Sequence, residues 1–139
     1  MKATIFGILA SAALFSASPA SAHHPFAAEF DSTKPVTIVG TVATFDWVYP
    51  HAFVTVDEKD GQGAVTHWKI ELGGPGALTK QGWTTTSVRP GEKVTVKGWL
   101  AKDGTKRANA DTITLSDGHE LSAASSYYQH PKKVVPNTP

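Results

Sequence analysis

Histidines are the residues of this chain best placed to do chemistry, and their positions are unusual. His23 and His24 stand directly behind Ala20-Ser21-Ala22, a small-residue sequence of the kind that ends an export signal. Cleavage after Ala22 would make His23 the first residue. Its free α-amine and ring Nδ1 then chelate one metal ion, and nitrogen donors in a plane favour Cu(II) or Ni(II). Further imidazoles from His24 and His51 would complete a copper site. Cleavage after Ala20 places His23 third, where amine, two amides and imidazole again make a planar chelate. Both processing outcomes therefore offer a copper-type terminus, although an exposed arm also tolerates histidine without any metal.

His51 follows Tyr49-Pro50 at the start of an extended run, and Pro50 restricts the direction of the chain before it. The alternatives are a metal ligand and a strand-start histidine bonded to backbone. On the same run His51, Phe53 and Thr55 share one parity. On the next run His67 and Lys69 share the parity opposite to Trp68 and Ile70. Paired as a hairpin, these five residues make one polar-aromatic face. It is a candidate surface for a small ligand such as a sugar, peptide or anion, or for an envelope partner; its plainer reading is a solvated outer face.

Other chemistries lack their parts. The chain has no cysteine, so disulfides, thiolate metal sites and cysteine nucleophiles are excluded. No G-x-S-x-G elbow occurs. Glu71 and Asp46 stand as lone carboxylates, and no acid–base pair follows from spacing. Gly73-Gly74-Pro75-Gly76 lacks the Lys-Ser/Thr of a phosphate loop and reads as a turn into a helix. The four tryptophans read as packing residues. Thirteen basic residues face twelve acidic ones, and Lys2 lies in the export signal. The mature balance is neutral, which argues against nucleic acid. No enzyme is expected.

The elements that must position these residues are strands. Residues 1–22 read as a signal peptide, too short in its apolar run to span a bilayer, so no membrane span is expected after cleavage. Export to the periplasm or beyond follows. Residues 23–34 form an arm in which Phe26 and Phe30 can dock. Pro35–Trp47 is a long strand with a phase slip near Gly40, a place for a bulge or bend. His51–Asp57 and Val65–Leu72 flank a turn with Asp60-Gly61, the clearest hairpin. A short helix over Ala77–Gln81 is stopped by Gly82. Lys93–Ala101 and Ala108–Leu115 are further strands, and His119–Leu121 adds a short extension. Residues 122–139 read as a loosely held tail.

The order β-β-β-α-β-β, with a bent first strand and a helix between strands three and four, predicts an all-β domain over residues 35–121. Its expected form is an OB-like five-stranded barrel. A small sandwich or open meander is the alternative.

His23-His24-Pro25-Phe26, Glu29-Phe30-Asp31, Pro35 to Val42 and Trp47-x-x-Pro50-His51 together resemble an exported bacterial domain family of unknown function. Gly73-Gly74-Pro75, Gly82-Trp83, Pro90-Gly91-Glu92 and Asn109-Ala110 continue the resemblance, which spans residues 23–121. It implies a small secreted or periplasmic domain and no particular activity.

Overall fold

The computed structural model describes residues 25–129. Residues 1–24, His23 and His24 among them, and the chain from His130 onward lie outside the described residues. A one-turn helix α1 (Phe26–Glu29) leads into β1 (Phe30–Asp46), followed by β2 (Phe53–Lys59) and β3 (Val65–Glu71). Helix α2 (Pro75–Lys80) precedes β4 (Lys93–Ala101), β5 (Arg107–Leu115) and β6 (Glu120–Ser122). A 3-10 turn covers Ser126–Gln129.

The strands lie in the order β3-β2-β1-β4-β5-β6, and β3 also pairs with β5. That last pairing is parallel and short: Lys69 with Arg107, Ile70 with Ala108, Glu71 with Asn109. It closes the first five strands into a ring. The long β1 is shared between β4 and β2, as an OB-like fold requires. β6 adds an edge to β5 and makes the sheet six-stranded.

Alternation decides which side chains fill the ring. Ile38, Val54, Val56, Ile70, Val96 and Ile113 are wholly buried inside it. Leu78 of α2 is buried with them, so the helix plugs the ring's end. The β2–β3 hairpin follows from Asp60, whose Oδ1 accepts from the amides of Gln62 and Ala64, each at 2.9 Å. Gly63 takes φ of 90° in the same turn.

Several details differ from the sequence reading: α2 begins at Pro75 rather than Ala77, and β2 at Phe53 rather than His51. β1 begins at Phe30, because Phe30 pairs with Ala101 and docks the end of the arm on β4. The phase slip falls at Ala43, between the pairs Val42–Val56 and Thr44–Thr55, and not at Gly40. Gly40 serves close packing instead: a Cβ there would lie 2.5 Å from the Asp57 carbonyl oxygen. Finally, Ala123–Gln129 is no loose tail. Ala123, Ser125 and Ser126 are buried against the body, held by polar contacts that composition does not reveal.

Candidate functional site

The outward face of the hairpin forms as its alternation predicts. Thr55 pairs with Lys69 and Asp57 with His67. Lys69 Nζ lies 4.6 Å from the centroid of the Phe53 ring. His67 Nδ1 meets Asp57 Oδ1 at 2.6 Å, and Thr55 Oγ1 accepts from Thr44 Oγ1 at 3.1 Å. Phe53, Thr55, His67 and Lys69 thus share one surface, on which His67 bonds to Asp57 and Lys69 lies over the Phe53 ring.

His51 lies at the edge of that surface, half-buried just before β2. Its Nδ1 lies 3.0 Å from Glu71 Oε1. Glu71 has the outward parity of His67 and Lys69 but is itself buried. The Gly73-Gly74 step makes this enclosure possible. A Cβ on Gly73 would lie 2.3 Å from the Ala124 carbonyl oxygen, and one on Gly74 2.5 Å from that of Pro50. Only residues without a side chain let the chain pass between the His51 loop and the C-terminal segment.

From Glu71 a polar network runs outward. Asn109 is wholly buried, and its Nδ2 donates to Glu71 Oε1 and to Ser126 Oγ, both at 3.2 Å. Ser125 Oγ donates to Asn109 Oδ1 at 2.5 Å and accepts from the Tyr127 amide at 3.1 Å. Both ends of the Asn109 amide are therefore used, which is what lets it be buried at little cost.

Burial pushes the Glu71 carboxyl up to about 7, and the nearby charge of Glu29 adds to the rise. Arg107, the Asn109 amide and Lys69 pull the other way without cancelling it. Arg107 is itself engaged by Glu29, with Nη2 at 2.6 Å from Oε2, and it stacks 5.6 Å over the Phe30 ring. The end of the arm is thereby tied beside the Glu71 cluster.

The outer surface next to this network is aromatic. Phe26, Phe30 and Ala101 are buried there, with Trp99 and Tyr127 against them. Tyr127 lies over Trp99 at 4.6 Å between centroids, and Phe26 meets both rings edge-on.

Of the residues singled out from sequence, four share the hairpin face and His51 joins Glu71 instead. His23 and His24 lie outside the described residues. Among the described residues no group of three His, Asp or Glu side chains is placed to hold a metal ion. No helix among them is long and apolar enough to cross a membrane. Asp46, the other lone carboxylate, is exposed at the end of β1. Sequence reasoning passed over Asn109, Ser125 and Ser126. The usable signal was Ala108-Asn109-Ala110, where alanines on either side leave room for a close neighbour.

Comparison with known proteins bears on the family. No curated protein matches the sequence. A crystal structure of the mitochondrial single-stranded DNA-binding protein Rim1 from S. cerevisiae is similar over 60% of this chain and 93% of its own, at 18% identity and a TM-score of 0.48. The model of a family of unknown function, DUF6152, matches residues 11–110. With most of its length matched in this way, the chain belongs to the DUF6152 family.

Proposed function

We propose that this protein is an exported, non-enzymatic domain that binds a small ligand or an envelope partner on the outward face of β2 and β3. The observation that carries this reading is the uneven covering of the sheet. The β4–β5 side is roofed by α1 and the C-terminal segment, whereas among the described residues nothing forms such a roof over Thr55, His67 and Lys69. OB-like folds commonly use this hairpin face for ligands. The polar residues of the Glu71 cluster bond to one another, which suits a structural and positioning role better than covalent catalysis. A nucleic-acid ligand is disfavoured, because the mature chain has no basic surplus and Asp57 answers His67 on the face itself. Native mass spectrometry of untagged periplasmic protein tests the reading. A bound species lost in a Phe53→Ala/Lys69→Ala variant supports it; retention of the same species by that variant, or a protein left unprocessed in the cytoplasm, refutes it.

A second reading is copper binding at the mature N-terminus, with His23 joined by His24 or His51. The contact between His51 and Glu71 supports it, because a carboxylate on Nδ1 is the usual way to orient a metal-binding imidazole. The reach is also short. Phe26 touches Tyr127, next to Ser126 and Asn109, and the three residues back to His23 span at most about 10 Å. N-terminal mass analysis followed by Cu(II) titration of native, His23→Ala and His51→Ala proteins tests it. Equal weak affinity in all three removes copper from consideration.

A further inference from the structure

Reading across the strands gives one continuous row of neighbours on the outer surface. Phe53 is paired with Glu71, Glu71 with Asn109, and Asn109 with Trp99. The row has an aromatic ring at each end and an acid and an amide between them. Its ends are three strand spacings apart, about 14 Å. At present the chain itself occupies the Asn109–Trp99 end. The hydroxyls of Ser125 and Ser126 satisfy Asn109, and the Tyr127 ring lies on Trp99.

The segment that does this is hinged at a strained residue. Ala124 has φ of 49°, the left-handed region that costs a residue with a Cβ, and among the described residues no other non-glycine has a positive φ. Just before the hinge the chain is anchored on both sides: Gly73 donates its amide to the Ala123 carbonyl at 2.8 Å, and Ala123 donates to the Asp111 carbonyl at 2.8 Å. Beyond the hinge, contact with the row is made by the hydroxyls of Ser125 and Ser126 and by two rings on Trp99, Tyr127 stacked at 4.6 Å and Tyr128 edge-on at 6.3 Å. Groups of that kind can be replaced by an equivalent set from a ligand.

We propose that Ala124–Gln129 is a displaceable strap over one end of the ligand face, and that the ligand replacing it is a neutral saccharide. The inference rests on the reading of the outer sheet surface as the ligand face. A sugar ring offers what the strap offers, hydroxyls for the Asn109 amide and an apolar face for Trp99, and it can present a further hydroxyl to the neighbouring Glu71 carboxyl. With Phe53 at the far end, the row has the form of an oligosaccharide site whose second platform is shut until the strap moves. A strap that must open first weakens apparent affinity by the fraction of molecules open.

Triacetylchitotriose and maltotriose are the probes, followed by tryptophan fluorescence and by amide shifts at Thr55, His67 and Lys69. The Ser126→Ala/Tyr127→Ala variant loosens the strap and should bind a probe at least about tenfold more tightly than wild type. Ala124→Gly relieves the left-handed strain while keeping the strap's contacts. It should close the strap and weaken binding about threefold to fivefold. Slower hydrogen exchange at the Tyr127 and Tyr128 amides should accompany the closing. Equal affinity in all three proteins overturns the strap. So does a loosened variant that unfolds as cooperatively as wild type yet binds neither probe. Should that variant not fold, wild type and Ala124→Gly decide the matter, and lack of binding by both overturns the proposal. Shifts confined to Thr55, His67 and Lys69, with no change in tryptophan fluorescence, would refute the strap while leaving the face reading in place.

Discussion

The outer surface of the ring has two halves built by the same alternation of strand residues. On the β4–β5 half, the outward positions hold Trp99, Ala101 and Asn109, and both ends of the described chain lie over them. On the β2–β3 half, the outward positions hold Thr55, Asp57, His67 and Lys69, and only Phe53 is aromatic. Parity alone assigns both sets to solvent. The difference lies in chemistry: a large ring or a small alanine at an outward position invites a cover, whereas polar side chains that bond to one another across strands, as His67 and Asp57 do, leave the surface complete in water.

The sharpest way to break that contrast is to truncate one ring on each half. Phe26 is buried among Phe30, Trp99 and Tyr127, so Phe26→Ala should cost about 3 kcal/mol in urea unfolding. Phe53, half-buried beneath Lys69, should cost no more than about 1 kcal/mol as Phe53→Ala. Similar losses at the two sites would mean that the halves are not energetically distinct.

Next in size is a pH effect at the junction of the halves. Burial raises the Glu71 carboxyl from 4.5 to about 7, and Glu29 reinforces the rise. The folded protein therefore holds this proton more tightly than the unfolded chain. The contribution is fully present below about 4.5 and is lost as pH rises through about 7, by at most about 3 kcal/mol. Arg107, the Asn109 amide and Lys69 favour the ionised form, and the value of about 7 already contains their pull. Glu71→Gln keeps the shape and removes the titration. Its stability should lose less than wild type between pH 5 and 7; parallel curves would show that Glu71 is not the group responsible.

Smaller again is the tie between the arm and β5. Arg107 and Glu29 meet at 2.6 Å with about a third of each side chain exposed, at 32% and 31%. Solvent screening then limits the pair to about 0.5–1 kcal/mol. A double-mutant cycle of Arg107→Ala and Glu29→Ala should return a coupling of that size. A coupling near zero would mean that the arm is held by its aromatic residues alone.

What the sequence made legible follows from how far each signal reaches. The β2–β3 hairpin is set by local facts: Asp60 in the turn and strict alternation from Val54 to Val56 and from Trp68 to Ile70. The helix was legible in Gly82 beyond its end, but the sequence places its start at Ala77, because Gly73-Gly74-Pro75-Gly76 reads as a turn, whereas Pro75 is its first residue. The ring as a whole was legible because a helix between the third and fourth strands is a topological mark. The Glu71 cluster was not. Its members are separated by 38 residues from Glu71 to Asn109 and by 17 from Asn109 to Ser126, and no local pattern joins them. The Ala43 bulge was hidden for another reason. Glycine at position 40 looked like a bend, when its use is to admit the Asp57 carbonyl. The tail was misread because Ser125 and Ser126, polar in composition, are buried by bonding to Asn109.

The smallest expected effect is also the one that most directly separates a functional face from a structural one. Lys69 is exposed, and its ammonium lies over Phe53 with no acidic partner at hydrogen-bond distance among the described residues. A cation over a phenyl ring at an exposed site contributes about 0.5 kcal/mol, so Lys69→Ala should leave stability within about that amount of wild type. If the hairpin face were only a solvated surface, nothing else would change. If it carries a ligand, the same substitution removes a donor and uncovers the Phe53 ring, and retention of the bound species should change while the unfolding curve does not. Loss of stability by several times the expected amount would place Lys69 among the residues that hold the fold, and the contrast between the two halves would then fail at the position where it is most exposed.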